Sequence, residues 1–310
     1  MSPLISVIIP AYNHERFIGA AIESVINQSL TDFELIIVND GSTDGTEDVV
    51  KKYDDSRLRY FYQENQDAYN TINRGISLAR GQYISILNSD DIYTIDRLEK
   101  LLAVCESNNA VCAFSDVIPI DDENNEFTDP SLWWNVWYRT NRDHYFSCSD
   151  LYAALLRGNL MVTTSNLFMT AEASKQIGSF SSLRYLHDYD FILRMIHAFP
   201  GRVKYLDDQR LVYYRIHGGN TLSEAAVIGR QQDKELIRKY MLEAIPEPYK
   251  KYAQVGSDRL VELERELYEV RHQLHPSQQE GVRPALRKLQ EALMVWIKKK
   301  CGRTASDTQR

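Results

Sequence analysis

Short apolar runs alternate with helix-like stretches through the first 90 residues of the chain. The runs cover residues 4–11, 33–38, 57–62 and 83–87. All but the third, which is rich in aromatic residues, contain several Ile or Val residues, and polar residues follow them, as is typical of buried strands. The stretches between them are predicted to be helical and cover residues 15–28, 43–53 and 68–80. Such alternation predicts an α/β fold with a doubly wound, mostly parallel sheet that helices cover on both faces.

The bulk composition excludes several classes of protein. The chain has 310 residues, enough for one large α/β domain with an appendage or for two small domains. A formal charge of −7 argues against a general nucleic-acid binder. The cysteines form no close-spaced pair, no stretch approaches the ~20 apolar residues of a membrane span, and the first residues do not resemble a signal peptide. We therefore expect a cytoplasmic protein with reduced thiols and no nucleic-acid partner.

Polar residues follow three of the predicted strands. Tyr12 and Asn13 come after the first run, Asp40 after the second and Asp90 after the fourth. Sheets of this kind bind ligands at the carboxyl ends of their strands. Because the three strand ends meet on one edge, the sequence predicts a ligand site there.

The fourth run stops at Asn88-Ser89-Asp90-Asp91, where two carboxylates are adjacent. Crowded like charges favour a compensating cation, and oxygen ligands on one short loop suit Mg²⁺ or Mn²⁺ held against a diphosphate. The alternative is a loop whose aspartates cap the helix that is predicted to begin near Thr94.

The loops after the first two runs differ from the dinucleotide-binding fingerprint. No Gly-x-Gly-x-x-Gly follows the first run. Segment 40–45 (Asp-Gly-Ser-Thr-Asp-Gly) follows the second run and offers a carboxylate and backbone donors to a base and a ribose. The same residues are also typical of a turn and a helix cap, so this loop alone does not decide between a binding site and a structural turn.

Three segments taken together resemble the family 2 glycosyltransferases. They are residues 7–13 (Val-Ile-Ile-Pro-Ala-Tyr-Asn), residues 38–46 (Val-Asn-Asp-Gly-Ser-Thr-Asp-Gly-Thr) and residues 73–81, which begin with Asn-Arg-Gly and end with Ala-Arg-Gly. The resemblance covers roughly residues 4–222. It implies the GT-A fold and a nucleotide-sugar donor.

The resemblance also implies a donor site and a metal site. Asp90 matches the acidic position that holds the metal in relatives, and His217 matches the histidine that completes the site. Asn88 stands where the family usually has an aspartate. One imidazole among oxygen ligands favours Mn²⁺ over Mg²⁺. The implied donor contacts are Pro10, Ala11, Tyr12, Asn13, Glu15, Asp40, Asn73, Arg80, Asn88, Ser89, Asp90 and Arg215.

The same resemblance assigns the catalytic base to Asp188, at the start of a predicted helix. His187 precedes it where relatives often have an acid, and it is a candidate acceptor contact together with Trp134 and Trp137. The aromatic cluster could equally belong to the core under a long loop. One base without a second nucleophile implies a single in-line displacement that inverts the anomeric carbon.

The chain is predicted to contain a catalytic domain over residues 1–222, with a nucleotide-sugar half (1–100) and an acceptor half (101–222), and a helical extension over residues 223–310. Apolar residues at three- and four-residue spacing in 260–274 predict a short coiled coil, which would form a homodimer or dock on the catalytic domain. The basic helix at the C-terminal end suits peripheral contact with a membrane or is simply solvated.

Three functions remain open on the sequence. The first is an inverting, metal-dependent transferase that uses a uridine or thymidine diphosphate sugar and a glycan or lipid-linked acceptor in surface polysaccharide synthesis. The second is a sugar nucleotidyltransferase, which would want a Gly-rich loop bearing Lys or Arg after the first strand; that loop is missing. The third is a non-catalytic sugar-nucleotide-binding relative, which only Asn88 and His187 favour.

Overall fold

The computed structural model describes residues 2–183 and 186–217, together with the single positions Leu236 and Lys239. The strands are β1 (Ile5–Ala11), β2 (Phe33–Asp40), β3 (Leu58–Gln63), β4 (Tyr83–Ile86), β5 (Ile92–Tyr93), β6 (Cys112–Ile120), β7 (Phe168–Thr170) and β8 (Val203–Arg215). The helices are α1 (Ile18–Ile26), α2 (Thr46–Val50), α3 (Ala68–Leu78), α4 (Arg97–Ser107), α5 (Trp133–Cys148), α6 (Leu151–Arg157), α7 (Ala171–Ile177) and α8 (His187–Ala198).

The strands form one sheet in the order β3-β2-β1-β4-β7-β6-β8-β5. β1 lies parallel to β2 and β4, and β2 lies parallel to β3. β7 is antiparallel to both β4 and β6, and so it joins the first half to the parallel pair β6 and β8. β2 is buried along its whole length, as expected of a parallel strand with helices on both faces. The predicted α/β fold is confirmed, with antiparallel junctions added in the second half.

Two elements in the second half differ from the sequence-based prediction. The apolar residues at 110–114 predict a strand that ends at Ser115, but β6 continues to Ile120, because it pairs with β8 past an irregularity at Asp116. Residues 92–93 form β5, an antiparallel edge partner of β8. Two residues are too short to show a hydrophobic period, so the apolar pattern predicts no strand there, and the following helix begins at Arg97 rather than near Thr94.

Two glycines let α3 and the loop after it approach β1 closely. A Cβ at Gly75 would lie 2.3 Å from the side chain of Ile8, and one at Gly81 would lie 2.6 Å from the backbone N of Ser6. Arg80 N donates to Ser6 Oγ at 3.1 Å, near the amino end of the sheet. The backbone of Arg80 therefore lies at the edge opposite the proposed site, and its donor contact stays a prediction.

The coiled coil and the basic helix predicted within residues 223–310 lie outside the described residues, and the domain boundary stays a prediction. Of this region, Leu236 is buried and Lys239 Nζ lies 3.4 Å from a carboxylate oxygen of Asp190 in α8. None of the helices in the described ranges is long and apolar enough to cross a membrane. The three cysteines within those ranges are free thiols.

Candidate active site

Hydrogen bonds join the loops that follow β1 and β2. Asn13 Oδ1 accepts from Thr43 N at 2.8 Å, and Glu15 Oε2 accepts from Gly45 N at 2.7 Å. Asn13 has a φ of 52°, a left-handed conformation that asparagine tolerates better than most residues. These two predicted donor contacts therefore shape the loops, whereas Tyr12 is 47% exposed and offers its ring to a ligand at the same edge.

Asp40 ends β2, one strand over from Pro10 and Ala11 at the end of β1. Its carboxylate is buried, and Oδ1 accepts from Gln63 Nε2 at 2.6 Å and from Gln66 N at 2.9 Å. No group of the described residues donates to Oδ2. The protein thus orients this carboxylate through one oxygen and leaves the other as an acceptor for a ligand N–H or O–H.

Asp90 follows β4, and its carboxylate meets two histidines from distant parts of the chain. Asp90 Oδ2 lies 3.1 Å from Nε2 of His217, just past the end of β8. His14, in the loop after β1, completes a cluster whose three ligand atoms lie within 4.8 Å of one another. The structure brings together the predicted pair. His14 is not among the ligands that the family resemblance implies, although a histidine directly after a strand that ends on this edge is a usable signal.

The donor set of this cluster fits a divalent transition metal, because imidazole nitrogen and carboxylate oxygen are ligands that Mn²⁺ and its neighbours accept. Burial acts to raise the pKa of Asp90, but the hydrogen bond with His217 and the nearby His14 prevail and hold that pKa below its ordinary value. The carboxylate is therefore ionised, as a metal ligand must be. The Phe17 ring lies 5.2 Å from the His217 ring and 5.9 Å from the His14 ring, measured between centroids.

Asp91, the next residue, points into the protein. Its Oδ2 accepts from Ser165 Oγ at 2.5 Å and from Thr163 Oγ1 at 3.3 Å, and its Oδ1 accepts from Arg215 N at 2.9 Å. Burial, followed by repulsion from Asp90, raises the pKa of Asp91 to about 8. The two adjacent carboxylates therefore differ: one faces the histidines, and the other fastens the loop to the strands behind it.

The loop before β7 connects this region to α8. Thr163 Oγ1 accepts from Asn88 Nδ2 at 3.0 Å, and Thr164 Oγ1 lies 3.3 Å from His187 Nε2. Val162 has a φ of 73°, which a β-branched residue rarely adopts. The contacts of the neighbouring threonines hold the loop in this conformation, and strain of this kind is typical of functional sites.

Asp188 lies in the first turn of α8 and is buried. Its Oδ2 accepts from Asn159 Nδ2 at 3.1 Å, and its Oδ1 accepts from Tyr189 N at 2.7 Å. Burial raises the pKa of Asp188, although the nearby His187 acts in the opposite direction. Asn159, which the sequence did not single out, belongs to the same loop as Thr163, four residues and thus at most about 14 Å of extended chain away.

Arg215, a predicted donor contact, makes several hydrogen bonds within the protein. Its Nε donates to the backbone O of Asp90 at 2.8 Å, and one terminal nitrogen donates to Asn124 Oδ1 at 2.5 Å. The guanidinium also donates to the backbone O of Asp121. Arg215 therefore holds the loop around residues 121–124 against the loop that carries Asp90, and its contact with the donor stays a prediction.

Ser89 and Asn73 likewise make internal contacts where donor contacts were predicted. Ser89 is buried, and its Oγ lies 2.7 Å from His14 Nδ1. The Asn73 amide pairs with the backbone of Phe180, donating to its O at 3.1 Å and accepting from its N at 2.8 Å. Both side chains position other parts of the site.

The aromatic cluster at the start of α5 is divided between the core, which holds Trp134 and Tyr138, and the surface, where Trp133 is 71% exposed. Trp134 is 6% exposed, and its ring stacks 5.0 Å from Tyr138 and 6.0 Å from Tyr214. That burial corrects its place among the candidate acceptor contacts. Trp137 is 37% exposed and stays a candidate. His187 is half-buried, and its Nδ1 lies 3.2 Å from a backbone carbonyl, so this ring serves to hold the start of α8.

The chain matches known proteins over most of the described region. A sequence model described as "Glycosyl transferase family 2" matches residues 6–154. An uncharacterised glycosyltransferase of Rickettsia typhi is 32% identical over 229 residues, which cover 72% of this chain and 67% of that protein. A protein of Bacillus subtilis, provisionally named as a teichuronic acid biosynthesis glycosyltransferase, is 41% identical over 116 residues, 36% of this chain and 45% of that protein.

Two solved structures share the fold. TarS of S. aureus (residues 1–349), in complex with UDP-GlcNAc, superimposes with a TM-score of 0.59 and 20% identity over 83% of this chain and 71% of that chain. Mannosyltransferase PcManGT from Pyrobaculum calidifontis, in complex with GDP-Man and Mn²⁺, superimposes with a TM-score of 0.57 and 15% identity over 96% of this chain and 83% of that chain. At these identities the likeness concerns the fold, and it confirms the GT-A architecture that the sequence predicts.

Proposed function

The chain belongs to glycosyltransferase family 2, and we propose that it transfers a sugar from a nucleoside diphosphate sugar to a hydroxyl of a glycan or lipid-linked acceptor, with inversion at the anomeric carbon. The observation that carries this proposal is the contact of Asp90 with His217, 127 residues apart in sequence, at the sheet edge where Asp40 presents a carboxylate oxygen. Surface polysaccharide assembly is the setting we propose, and the Bacillus subtilis relative supports it.

Asp40 is the proposed reader of the nucleotide base. Its unshared oxygen accepts a hydrogen bond, so it pairs with a base that carries a ring N–H and repels one with a ring nitrogen acceptor at that position. Uracil, thymine and guanine have such an N–H, whereas adenine and cytosine do not. The exposed Tyr12 ring supplies a stacking surface beside it. We propose UDP as the donor nucleotide, with dTDP as the alternative, because the TarS neighbour binds UDP-GlcNAc.

Asp188 is the proposed base. The acceptor hydroxyl must lose a proton as its oxygen attacks the anomeric carbon, and a carboxylate with a raised pKa is a better proton acceptor than an exposed aspartate. Hydrogen bonds from Asn159 and from the Tyr189 backbone orient both carboxylate oxygens. Direct attack with one base leaves no glycosyl-enzyme intermediate, and so the anomeric configuration inverts.

Asp90 and His217 are the residues that would hold a divalent metal. When bound, such an ion supplies positive charge that stabilises the departing diphosphate. The protein itself contributes the ionised Asp90 carboxylate. Arg215 donates to the backbone oxygens of both Asp90 and Asp121 and so holds the two loops together. Asp91, hydrogen-bonded to Ser165, fixes the backbone from which Asp90 projects.

The test is release of nucleoside diphosphate from a panel of UDP-, dTDP-, GDP-, ADP- and CDP-sugars, with Mn²⁺ and with chelator. We expect metal-dependent release from donors whose base has a ring N–H and none from ADP- or CDP-sugars. Asp90→Asn should abolish release. Asp96→Asn, which removes a half-exposed partner of Lys100 outside the site, should not. If no donor is hydrolysed and neither UDP, dTDP nor GDP stabilises the protein thermally, the non-catalytic role replaces this proposal.

A further inference from the structure

His14 is placed and oriented as a metal ligand would be. Its Nδ1 lies 2.7 Å from Ser89 Oγ, and its backbone N donates to Thr46 Oγ1 at 2.9 Å. With Nδ1 engaged by the serine, Nε2 is the ring nitrogen that would bind an ion. A histidine that binds a metal through one nitrogen is usually held by a hydrogen bond at the other, because that bond fixes the tautomer and the ring orientation.

The neighbours of His14 are the two residues already assigned to the metal. Its ring centroid lies 6.0 Å from that of His217 in an edge-on arrangement. The Asp90 to His217 contact of 3.1 Å equals the separation of adjacent ligand atoms around one ion, about 3 Å when each bond is about 2.1 Å. The three potential ligand atoms lie within 4.8 Å of one another. His14 comes from β1, Asp90 from β4 and His217 from β8, so three strand ends converge on one point.

We propose that His14 is a third protein ligand of the metal, which makes the centre a set of two imidazoles and one carboxylate, with Ser89 as the residue that positions His14. This inference rests on the metal-dependent function proposed above. Three protein ligands would leave room on the ion for oxygen atoms of the diphosphate. Ser89, which the sequence suggests as a donor contact, acts through His14 instead.

Two imidazoles change which ions the site accepts. Mg²⁺ and Ca²⁺ prefer oxygen ligands, whereas imidazole suits the first-row transition metals. A site with Asp90 as its one carboxylate and with His14 and His217 as its nitrogens should therefore bind Mn²⁺ or Co²⁺ well and Mg²⁺ poorly. With His217 alone beside Asp90, the preference would be weaker.

The experiment counts nitrogen ligands directly. Pulsed electron paramagnetic resonance of Mn²⁺ bound to the full chain, alone and with UDP, detects the ¹⁴N couplings of coordinated imidazoles. We expect two imidazole couplings in the wild type, one in His14→Ala, one in His217→Ala and none in the double variant. His197→Ala, which changes an exposed histidine at the end of α8, is the matched control and should keep two.

Titration calorimetry adds the ion preference. His14→Ala should weaken Mn²⁺ binding about 10- to 100-fold and Mg²⁺ binding much less, and Ser89→Ala should weaken Mn²⁺ binding about 10-fold while both couplings remain. His14→Asn gives a second variant if the alanine variant does not fold. The proposal is overturned if His14→Ala or His14→Asn folds and keeps both couplings, or if the wild type shows one or none. The resonance experiment does not depend on sugar transfer. If it shows two imidazole couplings but no nucleotide-sugar is hydrolysed, the proposed function is wrong and the ligand assignment of His14 still holds.

Discussion

Asp90 and Asp188 carry the same chemical group in opposite electrostatic surroundings. Both are largely buried, but Asp90 contacts His217 and lies near His14, and its pKa is held below the ordinary value. Asp188 has an amide, Asn159, and a backbone N–H as its hydrogen-bond donors, and burial raises its pKa. Environments that move the pKa values of two carboxylates in opposite directions suit them to different roles. The group with the lower pKa stays ionised, and the group with the higher pKa can accept a proton.

The two sides are also built differently. The proposed metal side gathers His14, Asp90 and His217 from the loops after three strands, so loss of one of these proposed ligands leaves the other two. The base side depends on a single carboxylate in the first turn of a helix. We therefore expect defects on the metal side to respond to metal concentration, whereas no solution component can replace the base.

The largest effect should come from Asp188→Asn. Loss of a general base typically costs 10²- to 10⁴-fold, so turnover should fall about 10³-fold. The affinity for the nucleotide-sugar should change less than about twofold, because Asp188 acts on the acceptor hydroxyl and not on the donor. Steady-state transfer assays and calorimetry with the donor measure the two quantities.

Asp143→Asn, at an exposed position on α5, is the matched control and should retain full turnover. Substantial turnover in Asp188→Asn would remove the base assignment. If the affinity for the donor fell as much as turnover does, Asp188 would be assigned to the donor site. The proposed difference in role between the two aspartates would then be wrong.

His217→Ala should give an intermediate defect that metal can relieve. Removing one ligand should raise the Mn²⁺ concentration for half-maximal activity about 10- to 100-fold, since ligand and support losses at metal sites have effects of this size. At saturating Mn²⁺ most of the turnover should return. Asp188→Asn, titrated in parallel, should gain nothing from added Mn²⁺. If the loss of turnover in His217→Ala is the same at every Mn²⁺ concentration, this histidine does not act through the ion.

Much of this fold can be predicted from the sequence. Strands such as β2 are buried throughout, so each appears as a short apolar run between helical stretches. The strand ends also place Asp40 and Asp90 on one edge before any coordinates are known. Composition and periodicity cannot tell which residues of a matched motif face the ligand. Arg80 and Asn73 stand in family-like segments, yet their contacts are with Ser6 and with Phe180.

Contacts between distant segments were the part that sequence could not supply. His14 lies 76 residues before Asp90, and Asn159 lies 29 residues before Asp188; neither spacing has a local period to detect. The guanidinium of Arg215 shows a related limit, since a cation next to a predicted metal site suggests diphosphate binding. Its donors instead go to backbone carbonyls at Asp90 and Asp121, and only the folded chain reveals that they are already engaged.

The smallest expected effect, and the one that most sharpens the contrast, is a pH shift in Asn159→Ala. Asn159 Nδ2 donates to Asp188 Oδ2, which favours the ionised form, so removing it should raise the pKa of Asp188 further. A hydrogen bond to a charged group contributes roughly 1.5–3 kcal/mol, and one pKa unit is about 1.4 kcal/mol, so the lower end of that range gives an expected rise of about one unit. Since the base works only when ionised, the acidic limb of kcat/KM should move to higher pH by that amount.

Below that limb Asn159→Ala should be about 10-fold slower than the wild type, and at high pH the two rates should converge. Asn108→Ala, at the far end of α4, should leave the profile in place. A uniform loss at every pH would mean that Asn159 only positions the carboxylate, and an unchanged profile would mean that burial alone sets the pKa of Asp188. In either case the pKa of Asp188 would be set without the hydrogen bond from Asn159, whereas the pKa of Asp90 depends on its histidine neighbours. Burial of Asp188 would then be enough to explain why the two aspartates differ.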